Sequence, residues 1–462
     1  MHLWRRYRNR GNSGLVPDDT TFTIDDEISH LTKLQSESCI YNSKAMVRNR
    51  PKMPIPVTNM LLAREANYSG RGRFSSADCS HVLCRYLPRN SATPIDRMNS
   101  EAYVSQFSID GSLLIAGSRG SRIRVYDVDN GWKILKDINA QSLRWTITDT
   151  ALSPDQRHLV YCSLTPIVHI VNLRTAMTDS RANITEIHEY LDFSVDGDGD
   201  DFNIYSINFS NDGRELIAGT SNDSIYVYDL EANKLSMRLQ AHTNDVNTVS
   251  FADQTGHVVF SGSDDNFCKV WDRRCHVAAG KAAGILEGHI EGITFIDSRG
   301  DGRYFISNGK DQTTKLWDIR RMSDTAKLST PKTYVWDYRW MDYPSQARKL
   351  KHPSDQSVAT YRGHSVLGTL IRCYFSPVHS TGQKYIYTGS YDKCVYVYDV
   401  VTGEIVAKYS WHDAAIRDCS WHPYYPMLVS SSWDCYVAKW EFPGTSADTT
   451  LPRKKSSRTH LH

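Results

Sequence analysis

The most constraining feature of this sequence is a short strand-like segment that recurs along most of its length. Each copy ends in an aromatic or apolar residue followed by an acidic or amide residue: SRIRVYD, PIVHIVN, DSIYVYD, FCKVWD, TTKLWD, KCVYVYD and CYVAKWE. The copies end at Asp127, Asn172, Asp229, Asp272, Asp318, Asp399 and Glu441, and most intervals between these ends are about 42 to 57 residues. Small-residue strands such as LLIAGS and VVFSGS precede the copies, so each unit carries several strands.

Units of this kind decide the fold class. Periods of about 40 to 45 residues with several strands per unit are typical of β-propellers. Seven units are enough to close a ring that leaves no free sheet edge. The sequence therefore predicts an all-β fold, a seven-bladed β-propeller over roughly residues 100–442, with an N-terminal helical extension.

The repeated segments resemble the WD40 family over the same range. In that family a histidine, a serine or threonine, an aspartate and a tryptophan form a buried hydrogen-bond network in a blade. The resemblance implies three complete sets here: His242–Ser261–Asp265–Trp271, His289–Ser307–Asp311–Trp317 and His412–Ser430–Asp434–Trp440. A fourth set, His364–Thr388–Asp392–Tyr398, ends in tyrosine instead of tryptophan. The first and third units have Gly120 and Asn222 at the aspartate position, so their networks are incomplete.

A set of histidine, aspartate and serine could also be a hydrolase triad. A catalytic site would not recur four times around a ring, whereas a buried network that fixes blade geometry would. The sequence also lacks GxSxG, HExxH and a phosphate-binding loop that ends in GK[ST]. We therefore expect no catalytic residues, no metal site and no cofactor.

Composition narrows the class of partner and the compartment. A net charge of +2 over 462 residues gives no overall field that would attract nucleic acid or a membrane surface. The 10 cysteines include no CxxC pair, and we expect buried free thiols at Cys162, Cys268, Cys373, Cys394 and Cys419. No apolar run is long enough to span a bilayer. These features predict a nuclear and cytoplasmic protein without direct nucleic-acid or membrane partners.

Three segments lie outside the predicted ring. Residues 1–50 are predicted to be mostly disordered, although TIDDEISHLTKL spaces Ile24, Ile28, Leu31 and Leu34 as one helical face. Residues 51–99 are predicted to form a helix–loop–helix, which could either pack on the propeller or insert into a groove of a partner. Residues 443–462 form a basic tail that we expect to be disordered.

An insertion of about residues 323–361 doubles the interval between Asp318 and Asp399. It contains VWDYR, but no turn aspartate stands six places before Trp336, and Pro331 interrupts the strand pattern. Long aromatic insertions in rigid scaffolds are more often binding loops than extra blades. The residues predicted to contact a partner are Trp336, Tyr338, Arg339 and Trp340.

Two arginines stand at equivalent places in neighbouring units. Arg274 follows the pair Trp271–Asp272, and Arg320 follows the pair Trp317–Asp318, each two places after the aspartate. Residues just past this strand emerge on one face of a propeller, so the two arginines should share a face. Ordinary exposed charge is one interpretation of them.

A second interpretation comes from the WD-x-R pattern, which resembles the DWD box of substrate receptors of cullin-4 ubiquitin ligases. In that family the arginine contacts the damaged-DNA-binding adaptor protein, often together with a helical segment before the propeller. The resemblance implies adaptor contact through Arg274, Arg320, Trp271, Asp272, Trp317 and Asp318.

Longer stretches extend this resemblance from about Ile55 to Trp440. They include DVNTVSFAD, GHIEGITFIDSRGDGRYFISNGKDQTTKLWDIRR and TLIRCYFSPVHSTGQKYIYTGS, and they are similar to one branch of these receptors that plants and animals share. The resemblance implies a non-enzymatic substrate receptor that presents protein substrates for ubiquitination. The alternative is a WD40 scaffold in a chromatin or RNA-processing assembly with no role in a ligase.

Overall fold

The fold was described from a computed structural model of the chain. The described residues are 16–17, 22, 24–35, 65, 87–173, 188–194, 201–275, 280–324 and 336–442. Seven four-stranded antiparallel sheets follow one another, and the first strands of neighbouring sheets contact each other in a closed circle. The predicted seven-bladed β-propeller is confirmed.

Each blade is one sheet with its first strand at the centre of the ring. Blades 1 to 3 consist of Ala102–Phe107, Leu113–Ser118, Arg122–Asp127 and Lys133–Asn139; Ile147–Leu152, His158–Ser163, Ile167–Asn172 and His188–Asp192; and Ile204–Phe209, Glu215–Thr220, Ser224–Asp229 and Lys234–Gln240. Blades 4 and 5 consist of Val246–Phe251, Val258–Ser263, Cys268–Asp272 and Gly284–Leu286; and Ile293–Ser298, Tyr304–Gly309, Thr313–Asp318 and Ala359–Arg362. Blade 6 consists of Cys373–Phe375, Tyr385–Thr388, Cys394–Asp399 and Ile405–Ser410, with a short helix, Val378–Thr381, after its first strand.

Blade 7 is built from both ends of the propeller sequence. Its strands Ile416–Trp421, Met427–Ser432 and Tyr436–Glu441 are joined by Ala92–Arg97, which pairs with the last of them. The ring therefore begins at residue 92 rather than at residue 100, and this part of the predicted helical extension is a strand. The pairing occupies an edge that would otherwise be exposed. Pro94, which cannot donate to the ladder, weakens the strand signal in the sequence.

The antiparallel order gives the ring two distinct faces. We name the face where the first strand of each blade begins the upper face, and the face where it ends the lower face. In blade 5, Ile293 pairs with Gly309 at the upper face, while Tyr304 pairs with Asp318 at the lower one. The third strands therefore end on the lower face, and the residues after each Trp-Asp pair emerge there.

The segment 1–50 contains a helix, α1 (Asp26–Gln35), within its described part. Ile28 is fully buried in a cluster with Tyr304 and Tyr361 of blade 5, and Ile24 and Leu31 pack beside it. The predicted helical face is therefore present at Ile24, Ile28 and Leu31, and the expectation that the segment is mostly disordered stays a prediction. The apolar face of α1 is covered by residues distant in the sequence, which a local pattern does not reveal.

Two predicted segments lie almost wholly outside the described residues. Of residues 51–86 only Glu65 is described, so the helix–loop–helix stays a prediction, and so does the tail 443–462. The insertion is shorter than predicted, because Ala359–Arg362 pairs with the third strand of blade 5 and completes that sheet. Leu350–Lys351 of the insertion pairs with Val16–Pro17.

The three complete histidine sets form the hydrogen-bond networks that the WD40 resemblance implies. In each set the His Nδ1 lies 2.8–2.9 Å from the Asp Oδ2, and the His Nε2 lies 2.7–2.8 Å from the Ser Oγ. The Trp Nε1 donates to the same Ser Oγ at 2.7–2.9 Å. All three imidazoles are buried. Each network therefore ties the loop before a blade to its second and third strands.

The fourth histidine set does not form this network. His364 Nδ1 lies 3.0 Å from the Tyr398 hydroxyl, and His364 Nε2 lies 2.9 Å from Asn308 Oδ1 of blade 5. Asp392 accepts a hydrogen bond of 2.6 Å from the Tyr396 hydroxyl. The Tyr398 hydroxyl contacts Nδ1, the histidine nitrogen that bonds to aspartate in the complete sets. The change from tryptophan to tyrosine therefore leaves Asp392 bonded to Tyr396 and His364 Nε2 bonded to Asn308.

The cysteines are consistent with the expectation from composition. Cys162, Cys268, Cys373, Cys394 and Cys419 are free and buried, as predicted. Within the described ranges, no group of three or more His, Cys, Asp or Glu side chains could hold a metal ion. No helix in the described part of the chain is long and apolar enough to cross a membrane.

We predict that Asp311→Ala lowers the free energy of unfolding by about 1–3 kcal/mol, because it leaves buried partners without a hydrogen bond. Burial raises the pKa of the Asp311 carboxyl, but His289 and Lys315 outweigh this effect and hold the pKa well below its ordinary value. The stabilisation should therefore be present at neutral pH and be lost as the pH falls below the ordinary aspartate pKa of about 4.

Urea denaturation at neutral and acidic pH measures this loss, with Asp129→Ala in an exposed turn as the control. The difference between wild type and Asp311→Ala should shrink at acidic pH. A mutant as stable as the wild type at neutral pH would contradict the assigned network.

Candidate protein-interaction surfaces

Arg274 is a fixed and exposed cation on the lower face. The Asp272 carboxylate accepts hydrogen bonds from Arg274 Nε at 2.9 Å and Nη2 at 2.8 Å, and also from its backbone N–H at 3.0 Å. These bonds lower the pKa of the Asp272 carboxyl to about 2. The Arg274 side chain nevertheless remains 59% exposed. The aspartate therefore holds the guanidinium in one orientation without burying it.

Arg320 is exposed on the same face but is held differently. Asp318 accepts from the Arg320 backbone N–H at 3.0 Å, and its carboxylate pairs with Arg303, with Nη2–Oδ2 at 2.7 Å. The Arg320 side chain is 66% exposed, and its Nη1 lies 3.5 Å from Glu27 Oε2 of α1. The two WD-x-R arginines are therefore alike in exposure and place, and differ in their acidic neighbour.

The tryptophans and Asp318 are not surface residues. Trp271 and Trp317 are buried within the histidine networks, and Asp318 is buried against Arg303. The implied adaptor contact through these three residues is therefore corrected: they position the loops that carry Arg274 and Arg320. Their polar groups are already bonded inside the blade, so a partner could not reach them.

The N-terminus of α1 lies beside Arg320. Glu27 pairs with Arg303, and the hydrogen bond from this arginine lowers the pKa of the Glu27 carboxyl. Asp25 lies 2.8 Å from Arg321. These acidic residues precede or begin α1, where they also favour the helix dipole. Among the described residues, α1 is the helix beside Arg320, and it lies upstream of the segment predicted to accompany the two arginines.

The third WD-x-R segment lies on the opposite face. Asp337 accepts from the Arg339 backbone N–H at 2.9 Å and from Trp340 Nε1 at 3.0 Å. The Tyr338 carbonyl accepts from Gly368, in the loop before blade 6, at 2.8 Å. That loop belongs to the upper face, so this segment ends no blade strand and cannot join the other two arginines.

The insertion borders a cavity at the upper mouth of the central channel. Tyr338, Arg339 and Trp340 line one side of this cavity of about 360 Å³, whose other walls come from the starts of the blades. Trp336 packs against Tyr343 in a separate small cluster, with ring centroids 4.9 Å apart. Three of the four residues predicted to contact a partner therefore line the cavity together, whereas Trp336 belongs to the separate cluster with Tyr343.

The sequence did not predict which blade residues line this mouth. Tyr103, Tyr205 and Arg417 each stand second in the first strand of a blade and line the cavity. In six blades the strand register shifts at this place. A bulge re-aims a side chain, here toward the channel. The residue type varies between blades, so only the position, one place after the strand start, could have identified them.

A buried polar layer lies at the floor of the mouth. Arg372 pairs with Asp149, with Nη2–Oδ1 at 2.7 Å, and lies 3.5 Å from Asp418. Arg417 donates to the carbonyls of Tyr103 at 2.7 Å and Thr148 at 2.9 Å. These contacts join blades 1, 2, 6 and 7 across the channel.

We predict that Glu27→Gln loosens α1 from the lower face, because Glu27 joins the helix to Arg303, which stays paired with Asp318. Amide hydrogen exchange should become faster in Asp26–Gln35 while the blade strands keep their protection. Glu231→Gln removes an exposed ion pair with Arg214 on the lower face and is the control. Unchanged exchange in α1 would show that the apolar contacts alone hold the helix.

Comparisons with known proteins agree with the architecture. The model of the WD domain, G-beta repeat, matches residues 355–399 and 403–441. The model of the Nucleolar protein 10-like N-terminal domain matches residues 102–317.

Two plant proteins and a nematode protein are similar over most of the chain. The LEC14B homolog of Prunus armeniaca is 61% identical over 443 residues, which are 96% of this chain and 93% of that protein. The LEC14B protein of Lithospermum erythrorhizon is 62% identical over 423 residues, 91% of this chain and 89% of that one. The DDB1- and CUL4-associated factor 11 homolog of Caenorhabditis elegans is 34% identical over 421 residues, 87% and 72% respectively. The chain therefore belongs to the family of WD40-repeat proteins that contains LEC14B and the DDB1- and CUL4-associated factor 11 homologues.

Proposed function

We propose that this protein is a substrate receptor of a cullin-4 ubiquitin ligase. It binds the damaged-DNA-binding adaptor protein through its lower face and presents other proteins for ubiquitination and proteasomal degradation. The observation that carries the proposal is the exposure of Arg274 and Arg320 in neighbouring blades on one face. The name of the nematode relative points to the same adaptor and cullin.

The lower face has the properties that such a contact needs. Arg274 is pre-oriented by Asp272, so little side-chain freedom is lost when a partner binds it. Arg320 lies beside α1, which widens the surface next to blade 5. Arginine is enriched among the residues that dominate binding energy at protein interfaces. Adaptor binding is therefore assigned to Arg274, Arg320 and the exposed side of α1.

A receptor of this kind carries out no chemistry itself. The repeated histidine, serine and aspartate side chains are buried, and each serine hydroxyl is bonded to a tryptophan indole. A substrate could not reach these hydroxyls without disrupting a blade. Ubiquitin transfer is accordingly assigned to other subunits, and the nuclear and cytoplasmic localisation stays a prediction.

We predict that Arg274→Glu combined with Arg320→Glu weakens adaptor binding by more than about a hundredfold, because two hot-spot cations are replaced by the opposite charge. Both side chains are exposed, so the melting temperature should stay within about 2 °C of the wild type. Pull-down of adaptor and cullin with the full chain, paired with thermal melts, measures both effects.

Two single variants serve as controls. Arg157→Glu changes an exposed lower-face charge in blade 2, away from the motif, and Arg339→Glu changes the WD-x-R segment on the upper face. Both should recover the adaptor normally. Normal recovery by the double variant would refute the receptor assignment and favour a scaffold without a ligase role.

A further inference from the structure

We propose that the upper mouth of the channel binds the C-terminal carboxylate of a substrate polypeptide, with Arg417 as the residue that receives it. This inference rests on the proposed function in one respect, namely that the bound polypeptide is a substrate of the receptor. It assigns substrate binding to the face opposite the adaptor surface. It also names the chemical group that is recognised.

Arg417 supplies the anion-binding group at the floor of the cavity. Its side chain is 4% exposed and lines the cavity, yet its two hydrogen bonds go to neutral carbonyls, those of Tyr103 and Thr148. A guanidinium carries five N–H groups, so three of them have no acceptor among the residues that the structure describes. A carboxylate matches the remaining fork of donors bidentately.

Arg372, the neighbouring buried arginine, has the direct acidic partners that Arg417 lacks. Arg372 is equally buried, but it faces the carboxylates of Asp149 and Asp418 directly. Burial and the adjacent Arg372 lower the pKa of Arg417 to about 10. Across the described part of the chain, no carboxylate lies within ion-pair distance of Arg417. The carboxylates of Asp418 and Asp149 act on Arg417 only at longer range. An incoming carboxylate would give Arg417 the direct ion pair that it lacks.

Aromatic side chains form the walls above Arg417. The ring of Tyr103 lies over its guanidinium, 5.2 Å from ring centroid to carbon Cζ. Tyr205 and Trp145 continue the wall, and Trp145 is 59% exposed. On the insertion, Trp340 is 79% exposed. Large exposed aromatic residues around a cavity suit the side chains that precede a peptide terminus.

The acidic residues lie on the far side of the mouth from Arg417. Asp264 is neutralised by Lys310, with Nζ–Oδ1 at 2.7 Å. Asp245 accepts from the Tyr205 hydroxyl at 3.2 Å and precedes blade 4, three blades from Arg417. Arg417 and the acidic side chains that line the cavity therefore lie on opposite sides of the mouth. A peptide carboxylate can therefore reach Arg417 without approaching Asp245.

The position of Tyr338 across the mouth favours a chain end over an internal segment as the bound group. Tyr338 spans the mouth between the loop before blade 6 and blade 5, where Lys310 Nζ lies 4.0 Å from its ring centroid. The cavity of about 360 Å³ is near the lower limit for ligand pockets. A continuous segment would have to enter and leave past Tyr338. A terminus needs one opening only.

The test compares short synthetic peptides of random sequence on two arrays, one with free C-terminal carboxylates and one with C-terminal amides. The purified full chain should bind the strongest free-acid peptides about tenfold or more tightly than their amides, because the amide lacks the charge that Arg417 requires. Acidic residues next to the terminus should weaken binding, since they approach Asp245. Arg417→Gln should abolish the preference for the free acid.

A second variant keeps the test decisive where Arg417→Gln destabilises the ring. Trp145→Ala changes an exposed wall residue and should weaken free-acid binding without lowering the melting temperature. Equal binding of acids and amides, retention of amidated peptides through internal acidic side chains, or no retained peptide would each overturn the proposal. Arg274→Glu with Arg320→Glu should leave peptide binding intact. A failure of the peptide proposal can therefore be distinguished from a failure of the adaptor proposal.

Discussion

The pairing of Ala92–Arg97 with Tyr436–Glu441 is the interaction on which the rest of the structure depends. It joins the two ends of the propeller sequence in one sheet, so the seven blades form a ring without an open edge. Pro88 strengthens this junction, because its carbonyl accepts from the Tyr409 hydroxyl at 2.8 Å. Only a closed ring fixes the spacing of the blades, and with it the relative positions of groups on each face.

Closure separates two surfaces of different chemistry. The lower face presents the arginines of blades 4 and 5 beside α1, and the upper face presents aromatic walls around Arg417. The insertion connects them: Ser323 pairs with Ile285 at the outer edge of blade 4, and Tyr338 reaches the upper mouth. Under the proposed function, the rigid ring would hold an adaptor and a substrate on separate faces, so the two would not compete for the same residues.

The sequence predicted those parts of the fold that require fixed residue types at fixed spacing. The histidine networks are such a case, because each atom pair must meet within hydrogen-bond distance. The strand Ala92–Arg97 was missed, since Pro94 interrupts its pattern and its partner lies more than three hundred residues away. For helix α1 the sequence predicted the apolar face but not the blade residues that cover it. Arg417 was missed because only its place at a bulge, and no motif, marks it.

The central claim is that the adaptor binds the lower face while the upper mouth stays free. Amide hydrogen exchange of the full chain, with and without purified adaptor, tests this most directly. The account predicts slower exchange in residues 273–275, 319–323 and in Asp26–Gln35 when the adaptor is present, and unchanged exchange in residues 338–340. Slower exchange confined to the upper face, or no change on the lower face in a complex that forms, would contradict it.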